Sequence, residues 1–316
     1  MKILFFGSSP LSVFFLEKLY ASEHKIEAVI TNVDKETGRG KKILSNPVKI
    51  KAEELGLKHF EVCKIDEETY KKLNGINFDG LVIVSYGHII PQKLIDLSND
   101  NAINVHPSLL PKYRGPSPIV SALINGDEET GVTIMKINKG LDTGDILAQT
   151  RFKINESDNL EFLENKIMEI GAPLLISILK LIEKGLIESY PQAGNPSYTK
   201  VFKKEDHKIN WAKSSNDIRN KIRAFSPEPG AYTFLNNQRI KILNATEYFY
   251  TDEDLLLEDE YQPGEIIFAD KTNGLIIRCG SNEAIRILDL KLEGKKRMTF
   301  IDFLNGYRLK TGDYFN

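Results

Sequence analysis

The sequence predicts an α/β protein: a parallel sheet with helices on both faces, followed by a small β-barrel. Three observations carry that expectation. The chain has 316 residues, and single hydrophobic cores stop growing at roughly 250 to 300 residues, so two domains are expected. Apolar runs of strand length alternate with helical patterns from the first residues to His106, and such alternation implies right-handed crossovers and parallel pairing. Beyond residue 207 the texture changes to short β-rich runs separated by turn signals, the pattern of a small barrel or sandwich.

Each element has its own signal. "KILFFG" is an apolar run ending in Gly7, and "PLSVFFLEKLYAS" then places Val13, Leu16 and Leu19 at helical spacing behind a proline in the first turn. Strands follow at "KIEAVITN", "FDGLVIVSYG" and "NAINVH", with helices at "PVKIKAEELGL" and "DEETYKKL" among them. "TGVTIMKI" and "GDILAQTRFKI" form a β excursion, after which Asn159 to Gly185 carries a long helical pattern with glycine at its stop. This closes a first domain, expected over 1–188. "ESYPQAGNPSYTK" is rich in Pro, Gly and Asn and marks a linker, 189–206. A second domain, 207–316, opens with the helical "SSNDIRNKIRAF" and continues with strands at "AYTFL", "RIKILNATEYF", "GEIIFAD", "GLIIRCG" and "AIRILDLKL".

Composition narrows the class. Apolar residues make up 41% and charged residues 27%, the range of a folded soluble chain. The net charge of −2 gives no global attraction to nucleic acid, yet Lys35, Arg39, Lys41, Lys42, Lys49 and Lys51 crowd one segment. Lys200, Lys203, Lys204 and Lys208 crowd another, and the acidic run Thr251 to Glu260 offsets them in the total. Cys63 and Cys279 lie far apart in no ligand pattern, so neither zinc nor a disulfide framework is suggested and a cytoplasmic setting is expected. The apolar start is broken by Gly7 to Pro10 and Glu17, unlike a signal peptide. No later run reaches the roughly 20 apolar residues of a membrane span.

Chemistry concentrates in "INVHPSLLPKYRGPSP". Ligands of open parallel sheets bind beyond the carboxyl ends of the strands. Asn104 and His106 are two apart at such an end, so both side chains project from one sheet face. An amide can donate to an oxygen that becomes negative, and an imidazole can take a proton near neutrality. The pair can equally be structural. Four prolines, at 107, 111, 116 and 118, stiffen the following loop, and Gly115 permits close backbone approach. Asp142 in "GLDTGDI" either faces the same pocket, raising the His106 pKa and fixing its tautomer, or makes a local Asx-turn. The first turn, "GSSPLS", lacks the second and third glycines of a dinucleotide fingerprint, although Asp34 stands near where a ribose-binding acid would be.

"NVHPSLLPKYRGPSP" together with "GLDTGDI" resembles the signature of enzymes that transfer the formyl group of 10-formyltetrahydrofolate. The resemblance implies a Rossmann-like formyltransferase domain and a catalytic trio of Asn104, His106 and Asp142. It implies folate contacts from Ser108, Leu109, Leu110 and Pro111, with Tyr86, Gly87 and Ile89 of "SYGHIIP" lining the site. "GRGKKILSNPVKIKAEELGL", "YTKVFKKEDHKINW", "RAFSPEPGAYT" and "GKKRMTFIDFLNGYRL" are similar to the basic loop, linker and OB-like C-terminal barrel of the family members that act in translation initiation. The partner so implied is initiator Met-tRNA, formylated on the methionine α-amine, with Arg39, Lys41 and Lys42 on its acceptor arm. A monomer without metal or membrane attachment is the expected form. Two departures stand: "GSSP" where the family usually has "GTP", and the acidic run. An amino-sugar acceptor would keep the trio without needing the basic loop. A non-enzymatic RNA-binding module would need the basic clusters and not the trio.

Overall fold

The computed structural model describes residues 1–37, 42–249 and 261–316. They divide into two compact units, the first made of Met1–Pro118, Glu129–Lys153 and Glu164–Thr199, the second of Ile119–Glu128, Ile154–Leu163 and Lys200–Asn316. The acidic run Thr251 to Glu260 lies outside the described residues.

In chain order the elements up to the long helix are β1 (Lys2–Gly7), α1 (Pro10–Tyr20), β2 (Lys25–Asn32), β3 (Lys35–Thr37), β4 (Lys42–Leu44), α2 (Pro47–Glu54), β5 (His59–Val62), α3 (Glu67–Asn74), β6 (Gly80–Val84), α4 (Gln92–Ile95), β7 (Ala102–His106), α5 (Pro118–Ile124), β8 (Glu129–Lys136), β9 (Ile146–Lys153) and α6 (Leu160–Glu183). Seven of the strands form one sheet in the order β5-β2-β1-β6-β7-β8-β9. Pairing is parallel from β5 to β7 and antiparallel at β7–β8 and β8–β9. The sheet is therefore mixed: the β excursion adds two antiparallel strands to the parallel sheet read from the sequence. Every residue of β6 is buried, as expected of a central strand covered on both faces. Ser9 caps α1 by accepting from Ser12 N at 3.3 Å, and Asp66 caps α3 by accepting from Thr69 N at 2.9 Å.

The second unit continues with α7 (Ser215–Phe225), β10 (Ala231–Leu235), β11 (Gln238–Tyr248), β12 (Ile266–Asp270), β13 (Gly274–Arg278), β14 (Ala284–Leu292), β15 (Met298–Thr299) and α8 (Phe300–Gly306). Its sheet is antiparallel in the order β10-β11-β14-β13-β12, with β15 on β14. Register shifts around Asn244 bend β11, as extra residues in a ladder do. Residues 313–316 bond to both ends of the strand order. Phe234 N and O pair with Asn316 at 2.8 and 2.9 Å, while Phe315 N donates to Gly264 O and Ile266 N to Asp313 O, each at 2.8 Å. Phe315 is fully buried with its ring centroid 6.1 Å from that of Trp211. Ile218, Ile222 and Phe225, at helical spacing on α7, enter the same core. Among the described residues no helix is long and apolar enough to cross a membrane.

Candidate active site

The loops after β1, β2, β6 and β7 leave the carboxyl ends of parallel neighbours; the expected folate-lining residues lie on the last two, Asn104 and His106 in β7, and Asp142 on the loop between β8 and β9. In β7, Asn104 lies between Ile83 of β6 and Met135 of β8, and His106 lies opposite Thr133. Among the described residues the Asn104 amide has no hydrogen-bond partner, so its N–H groups are uncommitted.

His106 is 3% exposed. Its Nε2 lies 3.0 Å from Tyr113 O; a carbonyl only accepts, so Nε2 carries the proton in the neutral ring and Nδ1 carries the lone pair. Asp142 Oδ2 stands 3.6 Å from Nδ1 and accepts Gly115 N at 2.7 Å. Backbone from the "YRG" turn thus touches both groups: Tyr113 holds the ring, Gly115 the carboxylate. Two sequence expectations change. The tautomer is set by Tyr113 O, since Asp142 faces the unprotonated nitrogen. Burial drives the His106 pKa below its ordinary value, while Asp142 and the Tyr113 contact act upward without prevailing.

Asp142 sits at φ +50°, a left-handed conformation that Asp tolerates better than most residues. Its carboxylate reaches a residue 27 positions away, so the local-turn alternative does not describe it. That role belongs to Asn138, whose Oδ1 accepts Gly140 N at 3.0 Å and Thr143 Oγ1 at 2.7 Å. Gly144 is required here, because a Cβ would fall 1.8 Å from Lys136 O. Gly115, read as a point of ligand approach, is packed instead against Thr199: a Cβ would meet Thr199 Oγ1 at 2.8 Å.

The loop after His106 is held from within. The buried Ser108 hydroxyl donates to Lys112 O at 2.7 Å, and Ser108 O accepts from Thr133 Oγ1 at 2.6 Å. Leu110 packs with Met135 and Ile146, Pro111 is buried, and Leu109 is partly exposed. In the neighbouring loop Tyr86 is 2% exposed, set edge-on to Phe6 at 5.3 Å. Among the described residues its hydroxyl has no hydrogen-bond partner, and burial pushes its pKa up. Gly87 is exposed at φ +81°, and Ile89 is 92% exposed. Of the seven residues expected to line the site, Gly87, Leu109 and Ile89 present surface, while Ser108, Leu110, Pro111 and Tyr86 support the loops from inside.

After β2, Asp34 accepts Asn46 N at 2.9 Å and Lys49 Nζ at 3.0 Å, and these contacts hold its carboxyl below the usual range. It is engaged in structure and not offered to a ribose. Arg39 and Lys41 lie outside the described residues; the backbone of Lys42 opens β4, which pairs antiparallel with β3. Among the described residues no group of three or more His, Cys, Asp or Glu is placed to hold a metal. Sequence reasoning missed the Tyr113 carbonyl and the Gly115 amide, which leave no trace in residue type.

Comparison with known proteins adds a separate finding. Residues 1–179 match the formyl transferase family and residues 202–308 the formyl transferase C-terminal domain. A methionyl-tRNA formyltransferase of Carboxydothermus hydrogenoformans is 39% identical over 100% of this chain and 99% of its own. One of Thermodesulfovibrio yellowstonii is 41% identical over 98% and 97%. The crystal structure of an N-formyltransferase from Helicobacter canadensis, in complex with folinic acid and dTDP-3-aminofucose, superposes at TM-score 0.65 with 23% identity, covering 91% of this chain and 98% of that one.

Proposed function

The chain belongs to the formyltransferase family, and from that premise we propose that it formylates the α-amino group of methionine on initiator tRNA for translation initiation, with 10-formyltetrahydrofolate as donor. One observation carries the reading: relatives named for that reaction match the chain from end to end.

The reaction breaks the bond between the formyl carbon and folate N10 and forms one to the methionine nitrogen. A free α-amine has a pKa of about 7.7 to 8.0, and esterification removes the neighbouring carboxylate charge, so the neutral nucleophile is accessible near pH 7. As it attacks, the formyl oxygen becomes negative and Asn104 donates to it. The nitrogen becomes positive, and its proton passes to His106 Nδ1, the nitrogen left basic by the Tyr113 contact. The imidazolium then pairs with Asp142 and returns the proton to the departing folate nitrogen. Burial makes the neutral ring the resting form, which is the form a proton acceptor must have. Asn104, His106 and Asp142 together supply charge stabilisation and proton transfer, so the proposed step uses no metal.

The folate is proposed to lie over Leu109, Gly87 and Ile89, with Ser108, Leu110, Pro111 and Tyr86 fixing those loops. Arg39, Lys41 and Lys42 are proposed to engage the acceptor arm, and the domain from 207 to 316 the tRNA body, with residues 189–206 between it and the catalytic domain 1–188. The protein is proposed to act in the cytoplasm as a monomer. Replacing Arg39 with Ala is expected to raise KM for Met-tRNA and flatten its salt dependence; unchanged tRNA kinetics would remove that loop from the interface.

The deciding experiment measures formyl transfer from 10-formyltetrahydrofolate to initiator Met-tRNA for wild type and His106→Ala, with uncharged tRNA and a UDP-amino sugar as controls. Transfer to Met-tRNA that is lost in the variant supports substrate and site together. Activity on the sugar alone would keep the catalytic core and change the acceptor.

A further inference from the structure

The stretch Glu188 to Lys200, expected as a linker, makes contacts that a tether has no use for. Gln192 forms four hydrogen bonds. Its Nε2 donates to Asp142 O at 2.8 Å and Gly144 O at 2.9 Å, and its Oε1 accepts from Arg114 Nη2 at 2.7 Å and Nε at 3.2 Å. A guanidinium only donates and carbonyls only accept, so the partners fix which way the amide points. Arg114 is held again by the same stretch: its N donates to Ser197 O at 2.9 Å, its O accepts Thr199 N at 2.8 Å, and its Nη1 lies 3.2 Å from the Tyr198 hydroxyl. On either side of Arg114 are Tyr113, whose carbonyl holds His106, and Gly115, whose amide holds Asp142.

We propose that Gln192 is a positioning residue for formyl transfer: joined to Arg114 on one side and to the Asp142 and Gly144 carbonyls on the other, it sets the place of the Asp142 carboxylate against the His106 ring. The proposal rests on the reading of His106 and Asp142 as the pair that handles the proton. None of these four hydrogen bonds goes to the ring or to the carboxylate. Asp142 stands in a left-handed conformation on a loop between two glycines. Such a loop has several backbone geometries open to it, and an external clamp selects one. A displacement of 1 Å at a reacting group can cost about 100-fold in rate.

The test uses the full chain with Gln192→Leu, Gln192→Glu, Asp142→Asn and the double variants Gln192→Leu/Asp142→Asn and Gln192→Glu/Asp142→Asn. Glu keeps an acceptor for Arg114 but sets oxygen against two carbonyl oxygens, so it breaks the Asp142 side of the clamp with little change in shape. Both single Gln192 variants are expected to lower kcat by about 10- to 100-fold with KM for Met-tRNA nearly unchanged. Each double variant is expected to be no slower than Asp142→Asn alone, because a group that acts through Asp142 then has nothing left to position. Losses that multiply in the doubles, or unchanged kcat in both Gln192 variants while Asp142→Asn is impaired, overturn the proposal and leave the site reading intact. Full activity of Asp142→Asn overturns both. Should the Leu variant fail to fold, the Glu variant with a wild-type thermal midpoint carries the cycle.

Discussion

Replacing Asp142 with Asn removes a charge from beside a nearly buried imidazole without changing its shape. The two groups are 3.6 Å apart, with side chains 4% and 15% exposed. At an effective dielectric of about 20 a unit charge pair at that separation is worth about 4 to 5 kcal/mol. Losing it makes protonated His106 less favourable by on the order of 1000-fold, which bounds the loss in a step where His106 takes the proton. A drop in kcat of roughly 100- to 1000-fold is expected, since the proton is only partly transferred in the transition state. The sign in pH is also fixed. Burial already lowers the His106 pKa in the folded protein, so wild-type activity is present above that pKa and is lost as pH falls through it. Asn at 142 removes the upward influence, so the acid limb moves to still lower pH while the plateau drops. Single-turnover formylation against pH reads both quantities. An unchanged plateau, or an acid limb moved upward, would refute the reasoning.

Asn104→Ala should lower kcat by roughly 100- to 1000-fold in the same assay with KM for Met-tRNA preserved, as for loss of one oxyanion donor; a binding defect with normal kcat would reject the role. Gly144→Ala places a methyl 1.8 Å from Lys136 O, so both the thermal midpoint and kcat should fall, and a variant matching wild type in both would show that the loop yields without cost. Phe315→Ala opens a cavity beside Trp211 in a fully buried position and should cost about 3 to 5 kcal/mol in urea unfolding of the second unit, with little change in folate affinity; a loss below about 1 kcal/mol would mean that the core closes over the gap.

Much of this was legible beforehand, and the limits have physical causes. "GLVIV" and "KILFFG" read as strands because a strand buried on both faces must be apolar throughout. Asn104 and His106 read as neighbours because the pleat repeats every two residues. The direction of β8 and β9 was not readable, since a strand's own pattern is the same in either direction and the connection decides. The Tyr113 carbonyl could not be found, because every residue has one. The direction of the His106 pKa depends on how many groups from other elements exclude water from it, and counting only the nearest carboxylate gave the opposite sign. Tyr86 came only from the resemblance of "SYGHIIP", and that its ring packs against Phe6 was not readable in the residues themselves.

The outermost strand of the first sheet has a further consequence. β9 has β8 on one side, and on the other, among the described residues, only Ile146 pairs onward, with Tyr190 N and O at 2.9 and 2.8 Å. A bare ladder edge templates addition of a foreign strand, and amyloid growth begins that way. Here the first residue is stoppered by Tyr190, Arg151 brings an exposed cation, and Lys166 reaches Lys153 O at 3.3 Å. A newcomer would have to displace the stopper and lie along charge, so this margin resists joining to other chains while they are crowded and half-made.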